Sequence, residues 1–212
     1  MDAGQPKFRR RKADRPDEIV AAAMEVFVEK GFAAARLDDI ARRAGVSKGA
    51  VYLYFETKED VFRAVVERAI APNLDALQAT LRDHPGPFAT LARQAAALIA
   101  AAAGATPLGG VLKMVVGEAR NFPEIARIWH DQLIAKALGA MESAIRAAQA
   151  RGEVRPGDPR TYALQLIAPL VLGVLWRETF VPVGARPFDL TELAGQHVET
   201  FLNGLLLQDA PR

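Results

Sequence analysis

Apolar residues in this chain recur at three- and four-residue spacings from end to end, and nowhere do apolar and polar residues alternate for long. A period near 3.6 builds amphipathic helices and a period of two builds strands, so the sequence specifies an all-α protein of about nine helices. Half of the 212 residues are hydrophobic and a quarter are charged, enough apolar surface for these helices to bury a core. Cysteine is absent, which removes disulfides, thiolate metal sites and cysteine nucleophiles and suits a reducing cytoplasm. The basic N-terminus has no apolar run before Ile19, so no signal peptide is expected. The longest apolar stretch, Ala163 to Trp176, is interrupted by Gln165 and Pro169 and is shorter than the roughly 20 residues that cross a bilayer. It reads as a buried helix, and no membrane partner is expected.

The boundaries follow from caps and breakers. A first helix from Pro16 to Lys30 stops at Gly31. A second, Leu37 to Ala44, ends at Gly45, and a third follows with Ser47 as its N-cap. Thr57 and Asp60 form a capping-box pair for a fourth helix that runs to Leu81, with a kink expected at Pro72. His84-Pro85-Gly86-Pro87 breaks the chain there. Phe88 to Ala103, Leu108 to Arg120 and Pro123 to Arg151 then read as helices. Asp158-Pro159 opens the eighth, and Asp189 with Glu192 caps the ninth. These boundaries divide the chain into a basic flexible arm over residues 1–15, a first helical domain over 16–62 and a second over 63–212.

Leu37 to Phe55 forms one unit, two short helices around a tight turn at Ala44-Gly45-Val46, with Ile40, Ala41, Val46 and Val51 facing inward. That is a helix-turn-helix. Its second helix would enter the major groove of double-stranded DNA, presenting Ser47, Lys48, Gly49, Tyr52 and Tyr54, while Lys58 starts the next helix at a position suited to a phosphate contact. Net charge is only +2, but the whole basic surplus lies in the first third of the chain. Lys7, Arg9, Arg10, Arg11 and Lys12 could follow the minor groove as an arm or remain a solvated tail.

Two stretches carry a resemblance. One is I-x-x-A-A-M-E-V-F-x-E-K-G-F from Ile19; the other is L-D-D-I-A-R-R-A-G-V-S-K-G-A-V-Y-L-Y-F-E-T-K-E-D-V-F from Leu37 to Phe62. Together they resemble the TetR family of bacterial transcriptional regulators, and E-A-R-N-F-P-E-I-A at Glu118 to Ala126 is similar to a common C-terminal subgroup of it. The resemblance implies a three-helix DNA-binding domain joined to a helical ligand-binding and dimerisation domain. It also implies a cytoplasmic repressor whose small-molecule effector shifts the fourth helix. Two departures stand out. Arg36 occupies the position where the family carries a Thr or Ser cap, leaving either dipole compensation by Asp38 and Asp39 or a phosphate contact by Arg36 itself. Pro72 lies in the helix that links the two domains.

Candidate ligand-binding residues are Met114, Glu118, Phe122, Trp129, His130, Trp176 and Phe180. Glu118 shares a face with Val111, Val115 and Phe122, where it could orient a ligand or pair with an arginine as a structural bridge. The eighth and ninth helices are apolar over more than one face. Leu164, Ile167, Val171 and Val174 on one, with Leu193, His197, Phe201 and Leu205 on the other, fit a two-fold four-helix interface of a homodimer, with Ala168 and Gly173 allowing close approach. No metal site or cofactor is expected, and no catalytic constellation supports an enzyme. The expected function is therefore a dimeric, ligand-responsive repressor of a palindromic operator. The alternatives are a small-molecule-binding protein or enzyme with a vestigial helix-turn-helix, and a module that holds an acidic protein partner.

Overall fold

The computed structural model describes residues 15–82 and 86–207. Among these residues there are eleven α-helical segments and no strand; the one β-like feature is an isolated bridge between Val154 and Leu206. The segments are α1 (Arg15–Ala34), α2 (Leu37–Arg43), α3 (Lys48–Tyr52), α4 (Lys58–Val65), α5 (Ala71–Arg82), α6 (Phe88–Ala105), α7 (Leu108–Glu118), α8 (Pro123–Trp129), α9 (Ala135–Ala150), α10 (Pro159–Thr179) and α11 (Leu190–Leu205). A π-helical turn, Val66–Ile70, joins α4 to α5, and a second, His130–Ile134, joins α8 to α9. Counting each joined pair once leaves nine rods, the number the periodicity predicts. The basic arm and the His84-Pro85 part of the breaker lie outside the described residues.

Local chemistry explains the ends. Ser47 Oγ accepts from the Ala50 amide at 3.2 Å. Thr57 and Asp60 complete the capping box, and Asp158 and Asp189 cap α10 and α11. Gly31, at φ 77 and ψ 168, breaks α1 and leaves one further turn beyond it. Pro72 follows the first π turn by two residues. A proline cannot donate to the carbonyl four residues back and crowds it, and that carbonyl, of Arg68, lies within the widened turn. Pro87 gives α6 no side-chain cap, and a remote carboxylate serves instead: Glu153, only 8 % exposed, accepts the Phe88 amide at 2.6 Å and pairs with Arg151 at 2.5 Å.

Two cores result. The first gathers Ile19, Ala23, Phe27, Phe32, Ile40, Val51 and Phe62 from the N-terminal helices, and continues without a break into Val111, Met114 and Val115 of α7 and Ile125 and Ile128 of α8. At its centre the rings of Phe27, Phe32 and Phe62 meet at 5.5–5.9 Å. The second packs α5, α6, α9, α10 and α11 around Phe88, Met141, Ile145, Leu166 and Leu202.

The expectation that Ala163 to Trp176 is simply a buried helix is corrected here. Pro159–Val183 is long and apolar enough to cross a membrane by length and composition, at a mean hydropathy of 1.5, yet only 22 % of its apolar window is buried. Leu164 (56 % exposed), Ala168 and Leu172 (62 % exposed) form an outward stripe at helical spacing.

Candidate nucleic-acid interface and ligand cavity

α2 and α3 cross by burying Ile40, Ala41, Ala50 and Val51 between them and α1. The turn depends on Gly45, whose φ of +66 is costly for any residue with a Cβ, and the Val46 amide returns to the Ala41 carbonyl at 3.0 Å. This geometry leaves Ser47, Lys48, Gly49, Tyr52 and Tyr54 on one solvent-facing surface, as the spacing predicts. Tyr52 is 48 % exposed, and Gly49 has open space on its side-chain side, so a base pair can approach the backbone there. Leu53, 78 % exposed between the two tyrosines, joins this face. It escaped the sequence reading, although its position out of phase with buried Val51 and Phe55 was a usable signal.

Charge on this face is organised by ion pairs. Lys48 reaches Asp38 at 2.9 Å, which raises its pKa and keeps it cationic, and it lies 5.9 Å from the Tyr52 ring centroid. Asp39 bridges Lys30 and Arg42, both at 3.1 Å; the Lys30 hydrogen bond is the chief reason its pKa is lowered. Arg43 spans Glu25 and Glu29. Apart from the half-buried Asp39 carboxylate these groups lie at the surface, where solvent screens ion pairs, so exchanging a carboxylate for a phosphate costs little. Arg36 is exposed at the α2 N-cap and makes no cap bond, and Asp38 and Asp39 lie in the first turn of α2.

Lys58 does something other than the phosphate contact expected of it. Its ammonium donates to the carbonyls of Phe32 (2.5 Å), Ala33 (3.3 Å) and Ala35 (3.1 Å) and lies 4.4 Å from the Phe32 ring centroid. Burial lowers its pKa against the opposing pull of Glu59 and Glu118. It closes the end of α1, where orphan carbonyls need donors.

The same corner corrects Glu118. Its carboxylate accepts the amides of Phe32 (2.8 Å) and Ala33 (2.6 Å), the two donors freed by the break at Gly31. It thus ties the end of α7 to the DNA-binding helices and faces away from any ligand space. Phe122 stacks edge-on against Phe32 at 5.2 Å, and Met114 is buried in the first core.

The cavity lies on the other side of α7. A partly open cavity of about 160 Å³ lies between α5, α6, α7, α8, the second π turn, α9 and α10, with walls that include Leu77, Ile99, Leu108, Leu112, Trp129 and Ile134. Of the seven ligand candidates, only Trp129 lines it. His130 is exposed and bonds Asp131 at 2.7 Å; Trp176 donates to the Arg186 carbonyl at 3.0 Å and clusters with Phe180 and Phe188. The Val111–Val115–Glu118–Phe122 face packs on α1, so the sequence reading chose the wrong side of the helix.

The dimerisation candidates divide similarly. Ile167, Val171 and Val174 line the cavity, and Leu205 is buried. Leu193 packs on Gly173, and Phe201 against the second core. His197 Nε2 lies 3.1 Å from the carbonyls of Gln165 and Leu166. Gly173 allows α11 to approach within the chain, since a Cβ there would meet Leu193 and Leu190. Leu164 alone of the eight is exposed as a large apolar residue. Among the described residues no group of three metal-ligating side chains occurs.

Comparison with known proteins follows the same lines. Residues 19–65 match the family "Bacterial regulatory proteins, tetR family", and residues 86–187 match "Tetracyclin repressor-like, C-terminal domain". The chain is 30 % identical over 206 residues to the HTH-type transcriptional repressor BepR of Brucella suis biovar 1 (strain 1330), covering 93 % of this chain and 96 % of BepR. A structure described as a TetR-family regulator from Mesorhizobium loti MAFF303099 is 26 % identical, covers 93 % of this chain and 99 % of that one, and superposes with a TM-score of 0.74. The complex of SmeT with triclosan is 25 % identical over 92 % of this chain and 93 % of that one, with a TM-score of 0.72. SmeT is the repressor of the Stenotrophomonas maltophilia multidrug efflux pump SmeDEF. The chain belongs to the TetR family of DNA-binding transcriptional regulators.

Proposed function

We propose that this protein is a cytoplasmic homodimeric repressor whose two reading heads occupy a palindromic operator and whose small-molecule effector enters the apolar cavity. Arg36, Ser47, Lys48, Gly49, Tyr52 and Tyr54, with Leu53 added, contact the DNA, and residues 16–62 act as the reading head of a larger regulatory body formed by 63–212. A second copy covers the outward Leu164–Ala168–Leu172 stripe of α10, because an apolar stripe on a helix this hydrophobic needs a cover. The work is done by binding and not by catalysis.

The observation that carries this reading is the position of α7. Leu108 and Leu112 line the cavity and Glu118, on the same helix, holds the Phe32 and Ala33 amides of the DNA-binding core. An effector that displaces the cavity wall therefore moves the group that orients the reading head. A preference of a few kcal/mol for the displaced state is enough to empty the operator.

Fluorescence-anisotropy titration against DNA from upstream of the gene, with scrambled competitor and Tyr52→Ala as control, tests the DNA half of the proposal. Competitor-resistant binding that the control loses supports it. Equal affinity for scrambled DNA at every candidate site would remove it.

A further inference from the structure

We propose that the cavity selects an uncharged, compact lipophile of one or two rings bearing a single hydrogen-bond acceptor, such as an aryl ketone, ester or phenol, and that the indole N–H of Trp129 receives that acceptor. This rests on the reading of the cavity as the effector site.

Size sets the first limit. A closed cavity of about 150 Å³ holds a benzene-sized guest; this one offers about 160 Å³ and is partly open, which leaves room for one ring inside and a second towards the mouth. Polarity sets the second. Every side chain lining the cavity is Leu, Ile, Val or Ala except Trp129, so the walls offer a charged guest nothing in exchange for its water. The ionised groups beside Val174 are already engaged: Arg177 and Glu178 pair at 2.8 Å, and Lys113 donates to the Glu178 carbonyl at 2.5 Å.

The third limit comes from one atom. Trp129 is 5 % exposed, and its Nε1 is the one buried side-chain nitrogen or oxygen among the described residues with no hydrogen-bond partner in the protein. The other indole, Trp176, has its partner in the Arg186 carbonyl. A buried N–H left unpaired is costly, and a guest that supplies an acceptor recovers that cost. Trp129 is also the last residue of α8, where the ladder widens into the π turn that contributes Leu133 and Ile134 to the same wall. The unpaired indole thus belongs to a residue of the cavity wall at an irregular point of the helix.

Calorimetric titration of the full-length protein with four probes tests this: acetophenone, its shape-match α-methylstyrene, benzoate and benzyltrimethylammonium. Acetophenone is expected to bind at least tenfold more tightly than either ion. Trp129→Phe should cut the preference for acetophenone over α-methylstyrene by about two- to tenfold, the net worth of one hydrogen bond. Should that variant fold poorly, wild-type protein with ¹⁵N-labelled tryptophan decides: acetophenone shifts the Trp129 indole N–H signal downfield and leaves Trp176 in place. Binding of an ion as tight as that of the ketone, an unmoved Trp129 signal with ketone bound, or binding of none of the four overturns the inference. Operator anisotropy with the same probes separates it from the regulatory proposal. Ketone binding without any change in operator affinity supports the ligand class and counts against the regulation, whereas operator release by an ion that binds in the cavity does the reverse.

Discussion

Glu118→Ala is the substitution whose consequences the structure specifies most closely. The carboxylate receives two charge-assisted hydrogen bonds, from the Phe32 amide at 2.8 Å and the Ala33 amide at 2.6 Å. The Ala33 amide is exposed and can turn to water, but the Phe32 amide is part-buried beside a fully buried ring. Bonds to a charged partner contribute about 1.5–3 kcal/mol each, so with one amide rehydrated the loss should be about 2–3 kcal/mol. Glu118→Gln keeps one acceptor oxygen and should lose about 1 kcal/mol. Urea unfolding at pH 7 measures both values, and operator anisotropy with and without effector measures the coupling, which should weaken in Glu118→Ala even where operator affinity alone is little changed. A loss under 0.5 kcal/mol for Glu118→Ala, or full retention of the effector response, would refute the assignment of α7 as the link between cavity and reading head. Gly31→Ala offers an independent approach to the same joint. Its φ of 77 and ψ of 168 belong to a region almost reserved for glycine, and a Cβ there would press on the Glu118 carboxylate, for a cost of about 1–3 kcal/mol.

Other outcomes follow from the same contacts. Lys58→Met removes the donor to three carbonyls and should destabilise the fold by about 1–2 kcal/mol while leaving the salt dependence of operator binding unchanged. Arg36→Ala should instead flatten the slope of log affinity against log salt by about one unit at unchanged stability; the opposite pattern for the two variants would reverse their roles. Glu153 is half of a pH test. Burial works to raise its pKa, but the Arg151 hydrogen bond and the Phe88 amide prevail and hold it below the ordinary 4.5. A carboxylate with a depressed folded pKa contributes stability above its unfolded value and loses it as pH falls through the folded one. Glu153→Gln should therefore be less stable than the parent at pH 7, with the gap closing below pH 4.5 in thermal melts; a gap independent of pH would exclude the charge as its source. Leu164→Glu with Leu172→Glu should shift the protein toward monomer in analytical ultracentrifugation, and an unchanged dimer would move the interface elsewhere.

Much was decided by the chain's local chemistry. Helices form wherever the 3.6 period runs, and α3, α4, α10 and α11 start where Ser47, Thr57-Asp60, Asp158 and Asp189 can hold free amides, because capping involves only neighbours in sequence. The helix-turn-helix was equally legible, since its packing lies within 19 residues of Leu37 to Phe55 and its exposed face follows from phase alone. Periodicity cannot say which of two apolar faces meets which neighbour. α7 carries Val111 and Val115 on one side and Leu108 and Leu112 on the other, and only the crossing of α1 assigns the first to a core and the second to a cavity. The same ambiguity hid that Ile167, Val171 and Val174 line the cavity, because α10 is apolar on nearly all sides. Glu118 could be read as a ligand contact or an arginine bridge and Lys58 as a phosphate contact; their partners are backbone groups 85 or 86 and 23–26 positions away, exposed by a glycine break whose contacts no local window contains. Local sequence determined what each helix is, while the tertiary fold, by choosing which faces close against each other, determined where the cavity lies and how it reaches the DNA-binding head.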